Sequence, residues 1–280
     1  RLRNSSDRSR YSEILKKISE KFEYVRFTEE LSEVIETDSE RVISTDKFEK
    51  DQFDFLISVG GDGTILESVR KVGRSGIPIF GVNAGRMGFL ASTPQEGLDQ
   101  ALERLIKGDF FVAKRSMIQA KTTGNIFGEE NYALNEIGVH KHATSSMIIV
   151  HTYLDDFFLN SYWADGLIIS TPTGSTGYSL SVGGPIVSPV TQNLVITPIA
   201  PHNLNVRPLV IDENRVVKLK IEATEPNFLI SLDSESRTVD QSTTIEISKA
   251  DFRVGLIRFE KHDYFDTLRN KLMWGIDRRN

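Results

Sequence analysis

The sequence predicts an α/β plus all-β fold: an N-terminal Rossmann-like α/β domain, a C-terminal β-sandwich-like domain, and a final helix that returns to the first domain. An apolar run at residues 53–59 precedes three glycines within four residues and then helical spacing, which is typical of a buried strand leading into a helix. Beyond residue 111, apolar and polar residues alternate in short runs. The tail regains helical spacing, so the predicted domains are residues 1–111, 112–260 and 261–280.

Composition indicates a globular protein and excludes several kinds of chemistry. The 280-residue chain is 39% hydrophobic and 26% charged, and its formal net charge is -5. An acidic balance argues against a nucleic-acid partner. The absence of cysteine excludes disulfides, thiolate zinc sites and cysteine nucleophiles. Since no apolar run approaches the length of a membrane span, we expect a cytoplasmic protein with no membrane partner.

Helical spacing and apolar runs place the elements of the first domain in order. Residues 11–22 have the spacing of one helical face, and residues 24–27 are a candidate strand. The runs at residues 53–59 and 77–82 predict buried strands. A helix is predicted over residues 98–106, ending near Gly108 as a C-cap. Strands that alternate with helices predict a mostly parallel sheet with ligands at the carboxyl ends of its strands.

The turn after the central strand has the features of a phosphate cradle. Gly60, Gly61 and Gly63 lack side chains, so a ligand can approach backbone N–H groups where a helix dipole attracts phosphate. Asp62 at the centre is unusual, because an anion beside phosphates requires a metal ion or a reacting hydroxyl proton to compensate. The plain alternative is that Asp62 only caps the helix, and a glycine-rich turn alone is weak evidence against it.

Short β-like runs fill the second domain. They occur at residues 147–154, 194–199, 209–211, 216–222, 228–232, 243–248 and 252–259. Turn signals at residues 201–203 and 233–235 separate some of them. An all-β domain follows from this pattern.

Two segments of the second domain are too polar to be only strands. Asn135 and Glu136 place an amide beside a carboxyl group inside an apolar stretch. Residues 165–181 supply many hydroxyls, and we expect Gly174 and Gly177 to leave the backbone approachable, which suits a sugar or a nucleotide. The plain alternatives are an exposed strand edge for the pair and a surface linker for the loop. Apolar residues on both sides of the loop argue against a linker.

Together these motifs resemble the NAD kinase family. The shared elements are Gly-Gly-Asp-Gly-Thr at residues 60–64, Asn-Glu at residues 135–136 and Gly-Ser-Thr-Gly-Tyr-Ser-Leu-Ser at residues 174–181, followed by Gly-Gly-Pro at residues 183–185. The first element also fits diacylglycerol and sphingosine kinases, whereas all three in this order and at these separations single out NAD kinase. The similarity covers nearly the whole chain from Phe53 onward. One departure is Gly177, where some relatives carry alanine.

The resemblance implies transfer of the ATP γ-phosphoryl group to the 2'-hydroxyl of the adenosine ribose of NAD, giving NADP. It implies that Asp62 is the base that meets this hydroxyl, and that Asn135 and Glu136 hold the adenosine half of NAD. It implies that Asp165 lies near the nicotinamide end, in a pocket that a neighbouring subunit completes. The remaining implied contacts are Phe89, Thr173 and Tyr178 in the adenine pocket, and Gly60, Gly61, Gly63, Thr64, Thr176, Gly177 and Ser181 in the two loops.

Phosphoryl transfer needs positioning, charge neutralisation and a proton acceptor. A carboxylate can accept the hydroxyl proton as the bond to phosphorus forms, which fits Asp62. Mg²⁺ bound through ATP would lessen repulsion between Asp62 and the phosphates. The candidate cations are Arg86, Lys114 and Arg115. The resemblance also implies self-association as a homodimer or homotetramer.

Two other functions are compatible with parts of the sequence. A lipid kinase of the diacylglycerol or sphingosine type would need an apolar channel, against which the hydroxyl-rich loop argues. A non-catalytic sensor would bind NAD or NADP without turnover. His140 and His142 have strand spacing but no further ligand cluster, so surface residues are a simpler interpretation than a metal site.

Overall fold

The computed structural model describes residues 5–32, 39–43, 48–85, 88–91, 93–142, 147–259 and 263–274. The chain separates into two units, residues 1–113 with 255–280, and residues 114–254. The domain limits given above remain a prediction. Among the described helices, none is long and apolar enough to span a bilayer.

Short parallel strands form the centre of the first unit. Its elements up to residue 110 are α1 (Ser5–Lys21), β1 (Phe27–Thr28), α2 (Glu29–Ser32), β2 (Val42–Ile43), β3 (Leu56–Gly60), α3 (Asp62–Val72), β4 (Ile79–Asn83), β5 (Thr93–Pro94) and α4 (Leu98–Ile106). Strand β4 lies between β3 and β5 and runs parallel to both. Strands β1 and β2 pair separately, also in parallel. The predicted parallel sheet is confirmed.

The helices of this unit bury the faces that their spacing predicts. Helix α1 buries Ile14 and Ile18, and α4 buries Leu102 and Leu105, in one core with the central strands. The chain leaves α4 through Gly108 at φ +68°, where glycine is favoured.

Two predicted strands of this unit differ from the structure. Of residues 24–27 only Phe27 lies in a strand, and Tyr24 is exposed. The central strand begins at Leu56 rather than at Phe53. Phe53 instead packs edge-on against Phe48, with ring centroids 5.5 Å apart. Aromatic packing before the strand therefore accounts for part of the apolar run.

The second unit is a β-sandwich. Its elements are β6 (Phe111–Thr122), β7 (Tyr132–Ala133), β8 (Glu136–Lys141), β9 (Ile148–Leu154), β10 (Phe157–Ala164), β11 (Gly166–Ser170), α5 (Tyr178–Ser181), β12 (Asn193–Ile199), β13 (Leu209–Asp212), β14 (Val217–Ala223), β15 (Asn227–Leu232), β16 (Glu235–Asp240) and β17 (Ile245–Arg258). One antiparallel sheet has the order β13-β12-β11-β8-β15-β16, and the other contains β10-β9-β14-β17. Alternate residues of both sheets share one core, so the predicted β-rich fold is confirmed.

Strand β17 is a single element where the sequence predicts two. Between the predicted runs, Ala250 is buried and Lys249 forms an ion pair with Glu213, so the strand continues although the buried positions shift from 245 and 247 to 250 and 254. The strand belongs to the second unit up to Val254 and to the first unit from Gly255. There Leu256 pairs in parallel with Ile79 of β4.

The C-terminal helix returns to the first unit, as predicted. Helix α6 (Asp263–Leu272) belongs to that unit and buries Leu268.

Candidate functional site

The glycine turn of the first unit connects β3 directly to α3. Strand β3 ends at Gly60 and α3 begins at Asp62, with Gly61 as its N-cap residue and no side-chain capping bond. A Cβ on Gly60 would lie 2.2 Å from the Thr64 hydroxyl, so the turn excludes a side chain there. A Cβ on Gly61 or Gly63 would meet no described atom within 4 Å. As far as the described residues show, the backbone at Gly61 and Gly63 is therefore open to a ligand on the Cβ side.

Asp62 does not cap its helix, because its carboxylate accepts hydrogen bonds from a neighbouring loop. The backbone N–H groups of Phe89, Leu90 and Ala91 donate to it at 2.8, 3.0 and 3.1 Å. A Cβ on Gly88 would lie 1.8 Å from its Oδ1 atom, so this approach requires glycine at residue 88. The side chain remains 30% exposed. The carboxylate is thus held in one orientation while solvent or a ligand can still reach it.

The cation beside Asp62 is one that the sequence did not indicate. Lys271, in the last turn of α6, places its Nζ atom 3.7 Å from Asp62 Oδ2 and 4.6 Å from the ring centroid of Phe89. Of the three predicted cations, Arg115 is buried and donates to the Pro189 carbonyl of the second unit, which is not the surface position that a phosphate ligand needs. Lys114 is exposed, and Arg86 lies outside the described residues.

In the second unit, Asn135 and Glu136 present side-chain atoms without a hydrogen-bond partner among the described residues. They lie just before and at the start of β8. Asn135 Oδ1 and Glu136 Oε2 are buried and have no hydrogen-bond partner among the described residues, a property shared there only with Ser170 Oγ. Buried polar atoms are nearly always paired in folded proteins. Two adjacent exceptions mark a place where a polar ligand can supply the missing partners.

The environment of Glu136 favours its protonated form. Burial raises the pKa of its carboxyl group from the ordinary value of 4.5 to about 8, and the negative charge of Asp233 acts in the same direction. A hydrogen bond from the Tyr178 backbone opposes them by lowering the pKa. At neutral pH the group is therefore a carboxylic acid that can donate as well as accept a hydrogen bond.

The hydroxyl-rich loop packs against this pair. A short 3₁₀ helix (Gly174–Thr176) leads through Gly177 into α5. A Cβ on Gly174 would lie 2.1 Å from the Asn135 carbonyl oxygen, and one on Gly177 would lie 3.0 Å from Glu136 Oε2. The expectation that Gly174 leaves the backbone open to a ligand is therefore wrong, because that glycine allows close packing on Asn135.

Several hydroxyls of the loop bond within the protein rather than facing a ligand. Ser175 Oγ donates to the Pro172 carbonyl, and Ser179 Oγ bonds to Thr197 Oγ1. Thr176 Oγ1 donates to the Thr173 carbonyl, while Ser181 is exposed. The predicted array of ligand-facing hydroxyls is thus smaller than the sequence indicates. Ser and Thr readily bond to nearby backbone carbonyls, which is a pattern that residue type alone does not reveal.

Tyr178 and Asp165 have partners that the sequence did not predict. The Tyr178 ring, 43% exposed, stacks on His140 with centroids 6.0 Å apart and planes at 17°. His140 Nε2 in turn bonds to Ser231 Oγ at 2.9 Å. Asp165 forms an ion pair with Lys141 at 2.7 Å. Among the described residues, no group of three or more His, Asp or Glu side chains is placed to hold a metal ion.

Thr173 is buried in the loop, whereas Phe89 lies in the first unit beside Asp62 and Lys271. Their grouping with Tyr178 in one adenine pocket remains a prediction.

Two features define the class of this protein. The first unit, with its parallel sheet, holds a fixed carboxylate at a glycine turn, and the sandwich holds polar atoms without described partners beside a glycine-rich loop. Together they define a nucleotide-dependent phosphotransferase. The ATP-NAD kinase N-terminal domain model matches residues 3–110, and the ATP-NAD kinase C-terminal domain model matches residues 134–259. The chain belongs to the ATP-NAD kinase family.

Individual relatives agree with this assignment. The chain is 49% identical to an NAD kinase of Cytophaga hutchinsonii over 236 residues, covering 84% of this chain and 81% of the relative. It is 51% identical to one of Flavobacterium psychrophilum over 230 residues, covering 81% and 78%. The crystal structure of an Archaeoglobus fulgidus NAD kinase in complex with ATP has a TM-score of 0.72 at 29% identity, covering 92% and 94%. The yeast NADH kinase complexed with NADH shares the fold at 23% identity, with a TM-score of 0.82 and coverage of 97% and 85%.

Proposed function

We propose that Asp62 accepts the proton of the ribose 2'-hydroxyl, and that Asn135 and Glu136 hold the adenosine half of NAD. The activity itself, ATP-dependent phosphorylation of NAD to NADP, follows from membership in the family. The observation that carries the residue assignment is the pair of buried oxygens, Asn135 Oδ1 and Glu136 Oε2, that have no partner in the part of the chain that the structure describes. Leaving a buried polar group unpaired costs roughly 1–3 kcal/mol, which ribose hydroxyls would offset. The substrate of a lipid kinase offers few hydrogen-bond partners for these oxygens. A non-catalytic sensor of NAD or NADP would not need Asp62 as a base.

The surroundings of Asp62 support its role as proton acceptor. Three backbone N–H groups fix the carboxylate. A carboxylate has about four lone-pair positions, so one remains for the substrate hydroxyl. The open space beside Gly61 and Gly63 leaves room for the phosphates of ATP close to that position. Positioning and charge stabilisation then supply most of the catalysis, since phosphoryl transfer needs little covalent work from the protein.

We assign Mg²⁺ to the phosphates of ATP rather than to a protein cage. The described residues contain no cluster of three or more acidic or histidine ligands. Mg²⁺ commonly keeps several waters and binds through substrate phosphates with one or two carboxylates. An ion held in this way would lessen the repulsion between the phosphates and Asp62, which is partly exposed beside the glycine turn. When bound, Mg²⁺ would neutralise phosphate charge.

We propose that the other contacts implied by the family resemblance have the roles given to them there. The exposed face of Tyr178 suits stacking on adenine, since aromatic faces pack well against flat rings. Asp165, paired with Lys141, is assigned to the nicotinamide end. We also propose a cytoplasmic homo-oligomer, a dimer or a tetramer.

Replacing Asp62 with Asn tests the proposed base. The amide keeps one acceptor oxygen for the loop but cannot accept a proton, so we expect kcat to fall by roughly 100-fold or more. The affinity for NAD should fall much less than kcat, by a few-fold, because only Phe89 of the loop that Asp62 holds is among the assigned NAD contacts. Purified protein is incubated with ATP, Mg²⁺ and NAD, and the product is detected with an NADP-specific dehydrogenase.

The matched control is Asp54→Asn, an exposed aspartate of the same unit. It should leave turnover unchanged. Near-normal turnover of the Asp62→Asn enzyme would remove Asp62 from the mechanism.

A further inference from the structure

Asp233 makes a set of contacts that its place in a hairpin turn does not require. It lies between β15 and β16 at φ +50°. Its carboxylate accepts hydrogen bonds from three consecutive backbone N–H groups, those of Leu134, Asn135 and Glu136, at 2.8, 2.8 and 3.0 Å. Its own N–H donates to the Glu136 carbonyl at 3.0 Å. One side chain thus holds the backbone of the whole segment that carries the pair.

A second element holds the same segment from the other side. The Thr171 hydroxyl donates to the Leu134 carbonyl at 2.6 Å, and the Thr171 N–H donates to the Asn135 carbonyl at 2.8 Å. The backbone polar groups of residues 134–136 are therefore satisfied within the protein. By contrast, the side-chain atoms Asn135 Oδ1 and Glu136 Oε2 have no partner among the described residues. The backbone is fixed so that two side chains can present unpaired atoms.

We infer that Asp233 is a positioning residue for NAD, which fixes the backbone from which Asn135 and Glu136 reach the dinucleotide. The inference rests on the proposed roles of Asn135 and Glu136. Asp233 itself needs no contact with substrate, because its carboxylate is directed at three backbone N–H groups.

The bonding pattern predicts what an amide would change at this position. Asp233 Oδ1 accepts from Asn135 and Glu136, and Oδ2 accepts from Leu134. An Asn side chain has one acceptor oxygen and one donor group, so a donor would face a backbone N–H. Losing hydrogen bonds to a charged group, and with them the fixed geometry, should weaken NAD binding about tenfold or more.

The chain supplies a matched control in Asp155. This residue also lies in a hairpin turn of the second unit, between β9 and β10, at φ +48°. Its carboxylate accepts a hydrogen bond from the Val216 N–H at 2.9 Å and from the Arg215 guanidinium. Like Asp233, it holds the backbone of another segment with its carboxylate, but that segment carries none of the assigned site residues.

The experiment compares KM for NAD, KM for ATP and the melting temperature of the Asp233→Asn and Asp155→Asn enzymes. We expect Asp233→Asn to raise KM for NAD about tenfold or more while KM for ATP stays within about twofold. Asp155→Asn should lower the melting temperature without changing either KM. An unchanged KM for NAD in Asp233→Asn would overturn the inference, as would equal increases in both KM values.

Two further sets of variants allow for an Asp233 variant that does not fold and separate the two proposals. Should Asp233→Asn not fold, Asp233→Ser, which keeps a hydroxyl acceptor, is measured in its place. If neither Asp233 variant folds without ligand, both are measured with NAD beside Asp155→Asn. NAD should raise the melting temperature of Asp155→Asn but should not restore the folding of either Asp233 variant. Equal stabilisation of all three variants by NAD would overturn the inference. Asn135→Ala and Glu136→Ala separate the two proposals. If they leave KM for NAD unchanged, the proposed roles fail, whereas a large effect there with none in Asp233→Asn refutes only the positioning role.

Discussion

Single residues carry the chemistry of this protein through the groups that surround them. Asp62 and Asp233 each have a carboxylate that accepts hydrogen bonds from three consecutive backbone N–H groups of another segment. In both cases the aspartate orders a segment that carries assigned site residues. The first is assigned to the reaction and the second to the geometry of the dinucleotide contacts.

Glu136 should make stability depend on pH. Its pKa is raised from 4.5 to about 8 in the folded protein, so between these values the folded state binds more protons than the unfolded chain. The free energy of unfolding should therefore fall as pH rises from about 5 to 8, by at most about 1.4 kcal/mol per unit, and level off above. Glu136→Gln, which mimics the neutral acid, should lack this component.

Urea denaturation without ligand, repeated from pH 5 to pH 9, measures the effect. Glu225→Gln, at an exposed position of the same unit, is the control and should retain the slope of the parent protein. Identical slopes for Glu136→Gln and the parent would show that Glu136 ionises normally.

Residue types predicted part of the site but not its contacts. The sequence places Asp62 in a turn and Asn135 beside Glu136, since these follow from local patterns. Asp233 contacts residues that are 97 to 99 positions away, and its sequence signal is only that of a turn. Residue types also overstate the ligand-facing hydroxyls, because Ser175 and Ser179 bond internally.

At the scale of elements, periodicity predicted most strands and helices correctly because burial is the main determinant of both patterns. It failed at β17, where Lys249 is satisfied by Glu213, and at residues 24–27. A polar residue in a strand is indistinguishable in sequence from a turn residue until its partner is known.

Helix α6 brings Lys271 to the glycine turn that carries Asp62. Lys271 lies 3.7 Å from Asp62 and over the Phe89 ring, and a lysine there can offset carboxylate and phosphate charge together. We expect Lys271→Ala to lower kcat/KM for ATP by about tenfold, with a smaller effect on NAD binding. Steady-state kinetics with each substrate varied in turn measure this.

Lys271→Arg should recover part of the loss, since it restores the charge. Arg269, exposed on the same helix, provides the control variant Arg269→Ala, which should behave like the parent. Equal activity of Lys271→Ala and Arg269→Ala would exclude a role for the charge at residue 271.

At the scale of the whole molecule, β10 presents an apolar surface that one chain leaves uncovered. Phe157, Phe158 and Trp163 are 79%, 61% and 49% exposed on this edge strand. Large apolar side chains exposed on an edge strand favour covering by a partner. The strand leads directly to Asp165, whose pocket the proposed neighbouring subunit would complete. We therefore expect β10 to contribute to the homo-oligomer interface.

Phe157→Lys should shift the protein to a smaller species and lower its activity, as measured by light scattering coupled to size-exclusion chromatography. Leu204→Lys replaces another exposed apolar residue of the same unit outside any strand and should not change the mass. A monomeric parent protein, or an unchanged mass for Phe157→Lys, would contradict this prediction.

The course of strand β17 also determines when the enzyme can mature. Its end pairs with β4, and α6 follows it, so the first unit combines early and late parts of the chain. A ribosome releases residues 114–254 before it releases those late parts. Because domains tend to fold as they emerge, the sandwich can form while Asp62 still lacks its neighbour Lys271. The surroundings of Asp62 are completed only once α6 has emerged, so an abortive product that stops before α6 would contain the sandwich yet lack the cation beside Asp62.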